Sequence, residues 1–388
     1  MNWDELNEAS QKAYSDGQYL QAEKLLDQAL KAADNDARQQ ASTLFRLGKV
    51  YLHLADNARA EAVLTRALSL CGKALGLEHV EVARVLDQMG TAYTNQHKFA
   101  EGESLLNRGL EMRKKMLDAD HPEIAESLVS LGALNSAQKN YSKAEQFLRD
   151  ALAIQEKIGD ELAAPLSPTL GLLAVLYLRQ NNLSEAERFA TRAVQIREAT
   201  LGPHHPDVAM SLHILAMIAV AAKRYDDALA LYMRVLNIRQ NLLPREHPLI
   251  TSVVRAIGLI YMRKNQFAEA QSVFEDLERL TEGGGSDEDN HFAMVQLSWL
   301  YILQRKFDTG QVYIDRSLRK LLPSDKESER IREKLTISLL CCQVGNKDYV
   351  GAAKTLPAAS RVLSKNRNAD KLLLKQGLQK GLYAGKRR

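Results

Sequence analysis

Three cysteines in 388 residues, Cys71, Cys341 and Cys342, are too few and too oddly placed for a disulfide scaffold or a zinc ribbon, and no C-x-x-C pair occurs. Adjacent cysteines rarely bridge each other, so reduced, buried thiols are expected. Aromatic residues are only 6% of the chain, against 45% hydrophobic and 26% charged. That balance argues against a β-sandwich and against disorder, and for a folded, helix-rich chain. The longest nearly apolar run, residues 214–222, falls far short of the roughly 20 residues of a membrane-spanning helix. The chain opens MNWDELNEAS, where acids precede any apolar stretch, so no secretory leader is expected and a cytoplasmic location is. The motifs G-x-x-x-x-G-K-[ST], H-E-x-x-H and G-x-S-x-G are missing, and Gly283, Gly284 and Gly285 lack the lysine of a phosphate cradle. Neither an enzyme nor a bound cofactor is expected.

Charge is unevenly spread. The net +4 combines residues 361–388, where nine Lys/Arg stand against Asp370 alone to give +8, with a remainder of −4. A basic segment of that kind can touch nucleic acid or an anionic membrane, with the rest of the chain as spacer. This is an alternative reading, and nucleic acid is not the leading expected partner.

What the sequence has in quantity is repetition. Aligning QYLQAEKLLDQAL, KFAEGESLLNRGL, NYSKAEQFLRDAL and NLSEAERFATRAV sets an anchor at Tyr19, Asn57, Phe99, Tyr141, Leu183, Tyr225, Phe267, Phe307 and Tyr349. Their spacings are 38, then 42 five times, then 40 and 42. Alanine or glycine stands three residues after every anchor, which predicts that something presses close at that position. Ahead of most anchors a second signature marks another helix: LGKVY at 47, MGTAY at 89, LGALN at 131, LAVLY at 173, IGLIY at 257 and LSWLY at 297. Each unit is thus a helix pair. Glycine in a helix costs about 1 kcal/mol relative to alanine, so Gly48, Gly90, Gly132 and Gly258 are expected where a partner helix leaves no room for a side chain. Pro122, Pro206 and Pro248 suit the first turn of each first helix. The fifth unit has Ala163 and Ala164 there instead, followed by Pro165 and Pro168, so its first helix is expected to start late.

The pairing of L-G-x-x-Y with aromatic-x-x-A-E-x-x-L-x-x-A-L resembles the tetratricopeptide repeat over almost the whole chain. The 42-residue unit and the junctions LGLEHVEVA, LDADHPEIA, LGPHHPDVA and LPREHPLIT resemble more specifically the repeats of kinesin light chains. The resemblance implies an all-α fold, a right-handed superhelical solenoid of about nine helix pairs with a C-terminal capping helix. Units one to seven are expected in residues 1–280 and units eight and nine in 291–360. Between them TEGGGSDEDN, residues 281–290, has the composition of an acidic, glycine-rich loop or hinge. Residues 361–388, with Leu372, Leu373, Leu374, Leu378 and Leu382, suit a basic capping helix and tail. The implied function is a protein-interaction scaffold that takes a partner protein or peptide on its concave face. Self-assembly is a further alternative.

His79, His121, His205 and His247 recur at the junctions. Equivalent positions of stacked units lie about 10 Å apart, too far to share one metal ion, so helix-start histidines are expected and metal ligands are not. Glu61, Glu103, Glu145 and Glu187 share one repeat position and read as a solvated stripe, not a catalytic pair. Carrying over the inward positions of the tetratricopeptide first helix selects Lys49, Arg84, Asp87, Asn95, Arg179, His213, Met217, Arg255, Met262, Arg263 and Trp299 as candidate partner-binding residues. They combine methionines, which adapt to apolar groups, with arginines that have few acids opposite, and so suit an acidic peptide with apolar anchors. Trp299 is the exception, since it can equally be covered by the C-terminal helix. The asparagines by which kinesin light chains hold a peptide backbone are replaced here by Asp87-Gln88, Val129-Ser130 and His213-Ile214. Their cargo specificity is therefore not implied.

Overall fold

The computed structural model describes residues 2–34, 36–158, 166–282 and 286–320, together with 335–336, 338–339, 342–343, 346 and 355. Among them are sixteen helices and no strand. Six helix pairs lie in one compact unit, Met1–Leu242: α1 (Trp3–Ser15) with α2 (Tyr19–Ala32), α3 (Ala37–His53) with α4 (Asn57–Leu75), and α5 (Val80–Asn95) with α6 (Phe99–Met116). They continue as α7 (Pro122–Ala137) with α8 (Tyr141–Ile158), α9 (Leu166–Arg179) with α10 (Leu183–Leu201), and α11 (Pro206–Ala221) with α12 (Tyr225–Gln240). A second unit, Leu243–Arg388, holds α13 (Pro248–Arg263) with α14 (Phe267–Glu282), and α15 (Asp287–Leu303) with α16 (Phe307–Lys320). The ninth anchor pair, Tyr349 and Ala352, and the expected capping helix over 361–388 lie outside the described residues.

The helix starts follow from the junction residues. His121, His205 and His247 are N-caps whose Nδ1 accepts the backbone N–H two residues on, at 3.1–3.2 Å, with proline next in line. His79 caps α5 in the same way. A cap of this kind satisfies a donor that the helix itself leaves unpaired. The fifth pair lacks the motif; its first helix is described from Leu166 to Arg179, and the expected late start at residues 163–165 lies outside the described residues. Each pair turns through a residue with left-handed φ: Ala55, His97, Lys139, Asn181 and Lys223 in the first unit, all at 59–66°. Of the segment expected as an acidic loop, Thr281 and Glu282 finish α14 and residues 287–290 begin α15, where acids favour the positive helix end. Asn290 donates to Thr281 Oγ1 across 2.8 Å, and Gly283–285 lie outside the described residues.

The expected close contact inside each pair is present. A Cβ on Gly48 would come within 2.5 Å of Leu64, on Gly90 within 2.5 Å of Leu106, on Gly132 within 2.6 Å of Leu148, and on Gly258 within 2.5 Å of Phe274. The small residue after each anchor is buried, with Ala22, Ala60, Ala144, Ala186, Ala228 and Ala270 all at 0% exposure. Cys71 and Cys342 are buried thiols, as expected, and Cys341 lies outside the described residues. Within each unit a second helix packs on the first helix of its own pair and on that of the next, and the first helices of successive pairs also touch one another. In the first unit α1, α3, α5, α7, α9 and α11 thereby form a continuous inner row.

That unit also closes on itself. The turn after α1 reaches the start of α11, where His205 Nε2 lies 3.0 Å from the Ser15 carbonyl and Tyr19 donates to Asp207 Oδ1 at 3.0 Å. Because His205 Nδ1 accepts from Asp207 N–H, the Nε2 carries the proton and donates. Gly17 has φ +73°, and a Cβ there would stand 2.3 Å from Pro206.

Replacing Gly90 by alanine is expected to destabilise the protein by about 1–3 kcal/mol through overpacking against Leu106, read as a lower denaturation midpoint. Gly17→Ala is expected to part the first pair from the sixth, seen as a larger radius of gyration in small-angle scattering with unchanged helical circular dichroism.

Candidate functional site

On the inner row of the first unit, α1, α3, α5 and α7 enclose a cavity of about 410 Å³. Its cationic wall is Arg46 and Lys49 from α3, Arg84 from α5 and Arg113 from α6. Gln11, Tyr14 and Gln88 add polar groups, and Glu126 is the acid that lines it. A second cavity of about 370 Å³ shares Phe45, Arg46 and Arg84 with the first. Arg46 donates to Gln11 Oε1 at 3.2 Å. The Lys49 ammonium rests over the Tyr14 ring, 5.2 Å from its centroid. Burial lowers the pKa of both cations, for Lys49 against the raising pull of Glu126. Behind Lys49, Tyr14, Tyr19 and His53 form an aromatic cluster with centroids 4.7–5.4 Å apart. This cluster runs to the Tyr19 hydroxyl on Asp207.

The sequence-selected residues fall into several places. Lys49 and Arg84 line the cavity. Asp87 is only 3% exposed and does not reach the inner surface: with Ser127 it grips the buried Arg113 guanidinium. Asn95, at the end of α5, donates to Asn57 Oδ1 at 3.0 Å, and Arg179 donates to the Ser136 carbonyl at 2.7 Å. His213 is half-buried and edge-on to Tyr232, and burial together with Arg239 lowers its pKa to about 4, so it is neutral at pH 7. Met217 is exposed. In the second unit Arg255 lies over Phe292, Met262 is half-buried and Arg263 exposed. Trp299 is buried with Val295, Ile302, Phe307, Ile314, Leu335 and Cys342. The arginines do not all lack acids. Arg84 pairs with Glu81 on its own helix at 3.0 Å and with Glu123 at 3.3 Å, and Arg255 with Asp289 and Glu288 at 3.1 and 3.4 Å, the last three acids being placed alongside by the next first helix.

The repeated glutamates are not simply solvated. All four are half-buried, and three accept bonds from the following pair: Glu61 from Gln96 at 2.8 Å, Glu145 from the Tyr177 hydroxyl at 2.8 Å and Glu187 from Arg224 at 2.7 Å.

Sequence reasoning missed a further series. Arg113, Gln155 and Arg197 recur every 42 residues on the second helices, and each bonds a hydroxyl fourteen residues on, in the next first helix. The partners are Ser127, then Thr169 at 2.8 Å, then Ser211 at 2.7 Å. A polar pair at fixed offset in an apolar frame was the available signal. Gln11, Tyr14 and Arg46 were also missed. In the first unit Ala9-Ser10 stands where later units have Leu-Gly, which hides the register that would point Gln11 and Tyr14 inward.

The tetratricopeptide repeat family matches residues 8–74, 81–157 and 166–241, together more than half of the chain. With the paired helices and inner row in view, the chain belongs to the tetratricopeptide repeat family. No curated protein sequence matches it. Among solved structures it is similar to the apo form of RapI, 13% identical with TM-score 0.60 over 88% of this chain and 99% of that one. It is also similar to a Rap protein complexed with Competence and Sporulation Factor, 14% identical with TM-score 0.51 over 87% and 99%. The nearly identical repeats of a putative kinesin light chain from Podosopora anserina are 24% identical with TM-score 0.45, over 54% of this chain and all of that one. No helix among the described residues is long and apolar enough to cross a membrane.

Burial raises the Asp87 carboxyl to about 6, against the lowering pull of Arg113 and Ser127. A folded-state value above that of the unfolded chain means that the group favours the fold most below about pH 4, and that this contribution is lost as pH rises through 6. The stability of the protein relative to its Asp87→Asn variant is therefore expected to increase as pH falls from 7 to 4, measured by denaturant titration at each pH.

Proposed function

We propose that this chain is a non-enzymatic, cytoplasmic protein-interaction scaffold that takes a peptide segment of a partner along the inner row of first helices. The observation that carries the reading is the cavity of about 410 Å³ in that row, with half-buried Arg46 and Lys49 making no ion pair among the described residues. Half-burying a cation without a direct ion pair costs stability, and a protein that keeps two such groups at one site has a use for them. Exposed Met210 and Met217 on α11 offer adaptable apolar contacts on the same unit. An acidic peptide with apolar anchors fits both features. A bound factor in a Rap protein of similar fold is compatible with such use. The 42-residue period, kept in the left-handed turn residues from Ala55 to Asn265, supports placing the chain with the long-repeat, kinesin-light-chain type.

The test is site-specific photo-crosslinking in the native host. A photo-reactive amino acid in place of Gln88, on the cavity wall, is expected to capture a partner. The same amino acid in place of exposed Arg108 on α6 is expected to capture none. Capture from Arg108 and not from Gln88 overturns the inner-row reading.

A further inference from the structure

The cavity's charges are more specific than a general preference for acidic peptides. Arg46 and Lys49 stand one helical turn apart on α3 and reach into the same 410 Å³ space. Neither has a carboxylate partner among the described residues: Arg46 meets the neutral Gln11 amide, and Lys49 meets the Tyr14 ring face. Arg84 faces them from α5, its guanidinium held by Glu81 and Glu123. Arg113 is already engaged by Asp87, Glu123 and Ser127. Glu126, the acid on the wall, is exposed and makes no direct ion pair among the described residues, although its charge pulls on Lys49. Arg46 and Lys49 are therefore both without a carboxylate in direct contact, Glu126 acting on Lys49 only across the cavity, and a third cation, Arg84, is pre-oriented to donate to the occupant.

A single carboxylate carries one charge and two oxygens, so it leaves Arg84 or one of the two cations without a direct contact. A phosphate monoester carries about −1.5 to −2 at pH 7 and presents three acceptor oxygens. It can contact both Arg46 and Lys49 and still accept from Arg84 or Gln11. We propose that the cavity between α1, α3, α5 and α7 is a subsite for a phosphorylated side chain of the partner, with Arg46 and Lys49 as its counter-ions and Arg84 as a positioned donor. Clusters of arginine and lysine at close quarters suit such a dianion. Phe45, which lines both adjoining cavities together with Arg46 and Arg84, gives the residue next to the phosphate an apolar wall. The proposal rests on the inner-row reading above and sharpens it from acidic to phosphorylated.

The experiment uses the full chain and three fluorescent peptide libraries of degenerate sequence, identical except for a central phosphoserine, glutamate or serine. Fluorescence anisotropy is expected to give at least tenfold tighter binding of the phosphoserine library than of the glutamate one. Inorganic phosphate is expected to compete at millimolar concentration. The double substitution Arg46→Met and Lys49→Met, and separately Arg46→Gln, should reduce the preference toward parity. Arg188→Met, an exposed arginine of α10 paired with Glu185, should leave it intact. Unchanged melting curves certify that the variants fold. Equal binding of all three libraries overturns the phosphate subsite and leaves the peptide groove standing. Glutamate binding as tightly as phosphoserine, with serine weaker, overturns the dianion and makes the site a carboxylate one. Binding of none of the three overturns both readings. A single-stranded oligonucleotide that displaces the phosphopeptides more effectively than free phosphoserine does would assign the cations to a nucleic-acid backbone, and also overturns the proposal.

Discussion

The packing of four of the eight described helix pairs depends on one contact, that between a first-helix glycine and the large apolar side chain sixteen residues further along, as in Gly48 with Leu64 or Gly258 with Phe274. A methyl group at the glycine would collide with the branch point of the leucine, so the two helix axes sit closer than ordinary side chains permit. The small residue after each anchor repeats the economy on the other helix. With the pair locked this tightly, the second helix has only one remaining apolar face, and it wedges between two successive first helices. Within the first unit the first helices are thereby brought closer to each other than the second helices are, which gives that unit an inner side. The cavity lined by Arg46, Lys49 and Arg84 lies on that side.

Much of this was legible because tight contacts demand particular residues. Glycine at 48, 90, 132 and 258 has no other explanation in a helix interior, and histidine before proline at 121, 205 and 247 announces a capped first turn. The polar content of the site was harder to read. Whether Arg84 or Arg255 is free depends on acids 39 and 34 residues away, and no local pattern reveals them. Arg46 and Gln11 depend on where the first, irregular unit places its side chains. The bonded pairs Gln155 with Thr169 and Arg197 with Ser211 were visible at a constant offset, yet a search tuned to apolar periodicity passes over polar residues that are buried.

Those polar pairs show how one frame tolerates different chemistry. In the repeat register Asp87, Val129, Gly171, His213 and Arg255 are equivalent. In the third pair the aspartate sits beneath Arg113 and neutralises it. In the sixth pair His213 occupies that place near Arg239. Burial and the neighbouring cation keep the imidazole neutral, while burial lowers the arginine to about 10. The same position is therefore an ion pair in one pair of helices and an uncharged neighbour in another, with little change to the packing around it. Junctions that hold their geometry through small residues leave the polar positions free to vary, and such variation is what gives an inner face its local character.

The meeting of the first pair with the sixth has a consequence for how the array comes apart. A stack in which each unit touches only its neighbours loosens from its ends, one unit at a time. Here the turn at Gly17 is held by Pro206, His205 and Asp207, so the leading end of the first unit is a link in a loop. Fraying it requires breaking contacts almost 190 residues apart in sequence. The first six pairs are bound to melt together, as a ring does when its clasp is cut, and folding must bring together two distant parts of the chain before that ring exists.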